Sequence, residues 1–228
     1  MEKVDSKHYI RNIAEKYSRV KDDGLEFPIL QYVELMKLIY LKRDFDIFGR
    51  MTHEKCYSDI SLQDRIAFVK GVIKLRHESR LKRHKFNFSF DEESGHLDLS
   101  NNPWMVTVLC LQNFPAKSVD LSKTGIINGI GLRAQILEKL NISSTKMIEL
   151  QTIECKGLKE LNLANCGIQN LHPVFDQPLE VLNIRNTGVR SLYFTTQMKK
   201  LKELHIDKAQ FSEKEISRVP SQIKLVIH

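Results

Sequence analysis

Apolar positions recur along this chain in a pattern that fits neither one helix nor one strand, because the same spacing returns every twenty-odd residues from residue 94 to residue 211. One eleven-residue frame repeats: SGHLDLSNNPW (94–104), AKSVDLSKTGI (116–126), LEKLNISSTKM (137–147), LKELNLANCGI (158–168), LEVLNIRNTGV (179–189) and LKELHIDKAQF (201–211). The frame starts lie 22, 21, 21, 21 and 22 residues apart. With the first residue as offset zero, offset three holds Leu97, Val119, Leu140, Leu161, Leu182 and Leu204. Offset five holds Leu99, Leu121, Ile142, Leu163, Ile184 and Ile206. All twelve are apolar in a chain that is 42% apolar, so the period is not chance.

Offsets three and five share one face of a strand, since side chains alternate with period two. A single short strand cannot bury that face, but stacked copies share a continuous core and pair in parallel. Offset eight is small or polar: Asn102, Thr124, Thr145, Cys166, Thr187 and Ala209. Such a side chain can sit at a turn and satisfy inward backbone groups. The frames resemble the leucine-rich repeat family, with its L-x-x-L-x-L-x-x-N/C-x-L consensus. The resemblance implies an α/β fold, a leucine-rich repeat solenoid with a parallel sheet. Repeats this short imply a return path of turns or 3₁₀ pieces. Leu150, Leu171 and Leu192 at offset thirteen, with Ile153 and Val174 at sixteen, fill the core from that side, and Gly129 makes the second repeat irregular.

Caps are expected at both ends. Phe86, Phe88 and Phe90 share one face of a strand that turns through DEESG into the first repeat, and IKLVIH (223–228) reads as a final strand. The chain before the repeats reads as helical, which divides it into 1–85, a helical region that caps the solenoid, and 86–228, the repeats. Tyr9, Ile13, Tyr17 and Val20 mark a helix over 8–22. A second runs from about Pro28 to residue 45, and a short one covers 44–57. A last helix starts at Ser61 and runs to residue 85, with Leu62, Ile66, Val69 and Ile73 as its apolar stripe.

Charge separates the same halves. The net charge of +7 falls mostly in residues 1–90, which hold 19 Lys and Arg against 13 Asp and Glu. Its densest stretch, KLRHESRLKRHK, carries Lys74, Arg76, Arg80, Lys82, Arg83 and Lys85 against Glu78. That is a contact for phosphates or an acidic protein face, or a solvated helix end. Within the repeats, offsets two, four and six point away from the core. Offset four forms a row of Asp98, Asp120, Asn141, Asn162, Asn183 and His205, with Arg185 beside it at offset six. The row is a recognition strip, a ladder of side chains bonded to one another, or both.

Other chemistry is sparse. The eight histidines show no metal-binding spacing, and no metal, cofactor or catalytic residue is expected. GIINGIGLR (125–133) lacks the Lys-Ser/Thr of a phosphate loop. Four cysteines without close pairing suit a reducing compartment, and no apolar run is long enough for a membrane span; a cytoplasmic protein is expected. Residues 86–228 also resemble repeat regions attached to some bacterial serine/threonine protein kinases, through FNFSFDEESGHLDLSNN and the short Thr-type repeats. None of the kinase signatures is present, so that resemblance implies an accessory recognition module. The reading is a non-enzymatic module that binds a protein partner through the concave sheet face. The alternative is a nucleic-acid or ribonucleoprotein-associated protein that uses the basic helix 61–85.

Overall fold

The computed structural model describes residues 61–112, 114–132, 136–153 and 155–228; the helices expected over 8–22, 28–45 and 44–57 lie outside them. The chain forms two compact units, residues 1–82 and 83–228. In the first, helix α1 (Leu62–Arg76) starts where expected, with Ser61 Oγ accepting the Asp64 N–H at 3.2 Å. It buries Phe68, Val69, Val72 and Ile73, whereas Leu62 and Ile66 are only half-buried, so the apolar stripe is displaced from the expected one. The expected helix over 61–85 is not continuous. His77 leaves helical backbone at φ −119° and ψ 21°, and a separate turn of helix, α2 (Glu78–Leu81), follows. The break falls where the His77 side chain is buried, and no glycine or proline signals it.

The second unit is an eight-stranded sheet with its strands in chain order. Strand β1 (Ser89–Asp91) pairs antiparallel with β2 (His96–Asp98), the hairpin expected at the entrance. Strands β3 (Ser118–Asp120), β4 (Lys139–Asn141), β5 (Glu160–Asn162), β6 (Val181–Asn183), β7 (Glu203–Ile206) and β8 (Lys224–Ile227) follow, each parallel to the one before. The register joins equal offsets: Leu97, Val119, Leu140, Leu161, Leu182 and Leu204 are partners across successive strands. This is a leucine-rich repeat solenoid.

Every residue at offsets three and five is buried, as are Ile126, Met147, Ile168 and Val189 at offset ten. Each such side chain contributes roughly 1.5–3 kcal/mol by leaving water. Leu150, Leu171 and Leu192 close the core from the return side, which is made of turns and 3₁₀ pieces such as Leu109–Leu111, His172–Val174 and Tyr193–Thr196. Phe86 packs on Trp104 with ring centroids 5.7 Å apart, and Phe90 packs on Phe114 at 5.1 Å, which covers the first repeat. In the irregular second repeat, Gly131 (φ +106°) approaches the first so closely that a Cβ would lie 2.3 Å from the Val108 carbonyl oxygen. The glycines of 125–133 therefore serve backbone packing.

The turn after each strand is built by three offsets. At offset eight, Thr124 and Thr187 donate their hydroxyls to the carbonyls of Leu121 and Ile184 at 2.7 and 2.8 Å, and Asn102 Nδ2 donates to the Leu99 carbonyl at 2.8 Å. Cys166 is buried in the same place, and its Sγ donates to the Ile142 carbonyl at 3.0 Å. Ala209 departs from this: it is exposed, because the last frame turns into the 3₁₀ piece Lys208–Gln210. At offset seven the backbone is left-handed in five frames, with φ +58° at Asn101, +56° at Lys123, +58° at Ser144, +59° at Asn165 and +48° at Asn186. Asparagine tolerates that region better than lysine or serine.

At the far end, helix α3 (Glu213–Ile216) reaches back to the fifth frame's return loop. The half-buried Glu215 carboxylate accepts the Leu192 N–H at 2.8 Å and the Ser191 hydroxyl at 3.0 Å, and pairs with Arg218. The hydrogen bond from Leu192, then that from Ser191, holds its pKa below the ordinary 4.5. A depressed folded-state pKa stabilises the fold above the unfolded value, and that stabilisation is lost as pH falls through the folded value. Urea unfolding should therefore show Glu215→Gln less stable than the wild type at pH 7, with the gap closing once the pH drops below 4.5. A gap independent of pH would contradict the carboxylate's role.

Candidate binding surface on the concave face of the sheet

Offset four is the last residue of the strand in β2 to β6, and it acts on the backbone as well as facing outward. Asp98 Oδ1 accepts the Ser100 N–H at 2.8 Å, and Asp120 Oδ1 accepts that of Ser122 at 2.8 Å. Asn141, Asn162 and Asn183 accept the N–H groups of Ser143, Ala164 and Arg185, each at 3.1 Å. This Asx turn closes each three-residue strand, while backbone bonds between repeats continue beyond it. Among the described residues, the expected alternative, a ladder of mutually bonded side chains, holds only where Asn141 Nδ2 donates to Asp120 Oδ2 at 3.1 Å. A cross-repeat ladder forms instead at offset seven, where Asn186 Nδ2 donates to Asn165 Oδ1 at 3.0 Å and Asn165 Nδ2 to Ser144 Oγ at 3.4 Å. Five consecutive turns thus use one geometry, whether the residue is Asp or Asn.

Because Oδ1 is committed to the backbone, Nδ2 of Asn162 and Asn183 turns outward, and neither amide has a partner among the described residues. The face is a groove of about 300 Å³ lined by Asp120, Asn141, Asn162, Asn183 and His205. Asp98 and Arg185 are half-buried on the same face but outside that lining. Offset two, which the sequence reading places on the outward face without singling it out, supplies His96, Ser118, Lys139, Glu160 and Val181 to the lining. Offset six is less outward than expected: Ser100 and Ala164 are buried.

Charges on the face are arranged across strands. Lys139 pairs with Glu160 at 2.8 Å, Arg185 with Asp207 at 3.3 Å, and Lys224 with Glu203 at 2.8 Å. His205 departs from the turn role: its Nε2 lies 2.7 Å from Glu203 Oε1 and its Nδ1 3.2 Å from His228 Nε2. The hydrogen bonds from Lys224 and His205 hold Glu203 below the ordinary carboxylate range. At the first-repeat end, burial raises the pKa of Asp98, but hydrogen bonds from the Ser100 N–H, the Asn87 side chain and the Ser100 hydroxyl outweigh it and leave the group lowered. A second row of pairs, missed in the sequence, runs one residue earlier: Lys159 with Glu138 at 3.1 Å and Lys202 with Glu180 at 2.6 Å.

The basic residues do not form one helical face. Lys74 and Arg76 are on α1, Arg80 is on α2 and Lys82 follows it, while Arg83 and Lys85 belong to the second unit. Lys74, Arg80, Lys82, Arg83 and Lys85 are exposed. Among the described residues no three His, Cys, Asp or Glu side chains gather as metal ligands would, and no helix is long and apolar enough to cross a membrane.

No family model matches the chain, and no curated protein does. Among solved structures it is similar to internalin C2 of Listeria monocytogenes, with 15% identity over 59% of this chain and 80% of that one, at a TM-score of 0.42. The likeness to kinase-attached repeat regions rests on the sequence alone.

The double duty of offset four can be measured. Asn183→Ala should lower unfolding free energy by about 0.5–1.5 kcal/mol by removing the acceptor for the Arg185 N–H. Asn183→Asp, which keeps that oxygen, should stay within about 0.5 kcal/mol of the wild type in the same urea titration.

Proposed function

We propose that this chain is a non-enzymatic protein-interaction module and that its partner docks on the concave sheet face. The observation that carries the reading is the row of outward amides at Asn162 and Asn183, fixed by backbone bonds and lacking partners among the described residues. Side chains locked in one rotamer lose little entropy when a partner binds, so a rigid polar row favours recognition. A stable interface takes roughly 800 Å² from each partner, so the contact extends beyond the groove over neighbouring strands. The face offers backbone-like donors and acceptors to a polypeptide.

Nucleic acid is the weaker reading. The basic residues that suggested it fall on two helical pieces and a following segment, without a single helical stripe. Cys110, Cys155 and Cys166 are buried, which fits the cytoplasmic location proposed from cysteine usage.

Immobilised protein should capture a defined set of proteins from a lysate of the organism that makes it. Asn162→Lys should lose that set, while Glu149→Lys, on an exposed residue outside the sheet, should retain it. Matching melting temperatures for the two variants exclude unfolding as the cause. Equal capture by both would overturn the concave-face reading.

A further inference from the structure

The outward charges of the sheet almost all answer one another. Lys139 and Lys224 are each paired with a carboxylate of the neighbouring strand, and Arg185 with Asp207 just past the end of β7. Asp98 and Asp120 are different: neither forms an ion pair among the described residues. They are register partners on β2 and β3, so they stand about 4.8 Å apart, the spacing of neighbouring strands. Like charges opposite each other on a sheet destabilise it.

The fold does not need those charges. Asn141, Asn162 and Asn183 make the same turn with a neutral side chain. Asparagine at 98 and 120 would end the strands equally well and remove the repulsion. Two carboxylates are therefore held side by side, at the first-repeat end of the groove, where the turns ask only for an oxygen and the one further bond is that from Asn141 to Asp120. The rest of the face is close to neutral, and among the described residues none of its cations is left over to meet a polyanion.

Resting on the concave-face reading above, we propose that the occupant is a protein segment that lies across the strands and presents an arginine or lysine side chain to Asp98 and Asp120. Complementary charge fixes which end of the segment meets the first repeat, and it speeds encounter. A guanidinium suits the pair best, since its planar fork donates to two acceptors at once. The unpartnered amides of Asn162 and Asn183 then meet the backbone of the same segment further along the groove.

The test uses the full chain and a displayed library of random twelve-residue peptides. The tightest binders are synthesised and titrated by fluorescence anisotropy against the wild type, Asp98→Asn/Asp120→Asn and Asn162→Lys. The Asp→Asn pair keeps every turn bond and removes the two charges together with the Asn141 Nδ2–Asp120 Oδ2 bond, whereas the norleucine peptide removes the charge from the other side and leaves that bond in place. The expected result is that selected peptides share an Arg or Lys. Replacing that residue with norleucine, or using the Asp→Asn protein, should weaken binding by about tenfold or more, and the two losses should not add. Peptides that bind the Asp→Asn protein as tightly as the wild type, yet are blocked by Asn162→Lys, would overturn the charge assignment and leave the concave face standing. Peptides indifferent to both variants, or a library that yields no binder blocked by Asn162→Lys, would overturn the two together.

Discussion

Three residues of strand cannot hold themselves in place, and the repeats are built around that shortage. Each strand from β2 to β6 has three residues, one of them buried, and each gains its stability from the copies on either side. The ladder does not end with the strand. The offset-five N–H of Leu99, Leu121, Ile142, Leu163 and Ile184 donates to the next repeat's offset-four carbonyl at 2.7–3.1 Å. Two residues on, the N–H of Asn101, Lys123, Ser144 and Asn165 donates to the next repeat's offset-six carbonyl at 2.8–2.9 Å. Backbone bonding between repeats and burial of the rows beneath are therefore one event, and neither survives without the other.

That coupling also shapes the face. The side chain that closes each strand is the one that looks outward, so its rotamer is set by the fold before any partner arrives. The geometry demands an oxygen and leaves the second group free to be O⁻ or NH₂. Function can then be written into offset four by choosing Asp or Asn, at almost no structural cost. Offset two is unconstrained by the turn, and there the chain uses ion pairs across strands, as at Lys139 and Glu160.

The rows at offsets three, five and ten were legible because burial tolerates only apolar side chains and the period repeats six times. The aromatic cover of the first repeat was legible in part: Phe86 and Phe90 do pack on Trp104 and Phe114, but only Phe90 lies in a strand. The row at offset four was visible as a row, but its bond to the backbone was not, because Asp and Asn suit both an exposed face and a turn. The left-handed residue at offset seven was hidden where Lys123 and Ser144 occupy it, since neither is a residue that marks such a turn. The break at His77 carries no punctuation at all, and the exposed Ala209 looks like any other small residue at offset eight.

The central claim is that the repeats form one continuous parallel ladder over one shared core. Residue-resolved amide hydrogen exchange on the full chain tests it most directly. The account predicts that the slowest amides include Leu121, Ile142, Leu163 and Ile184, recurring at the repeat period of 21 residues, with fast exchange in the return loops between them. Protection spread over unbroken stretches of ten or so residues, or none above background at those four positions, would contradict it.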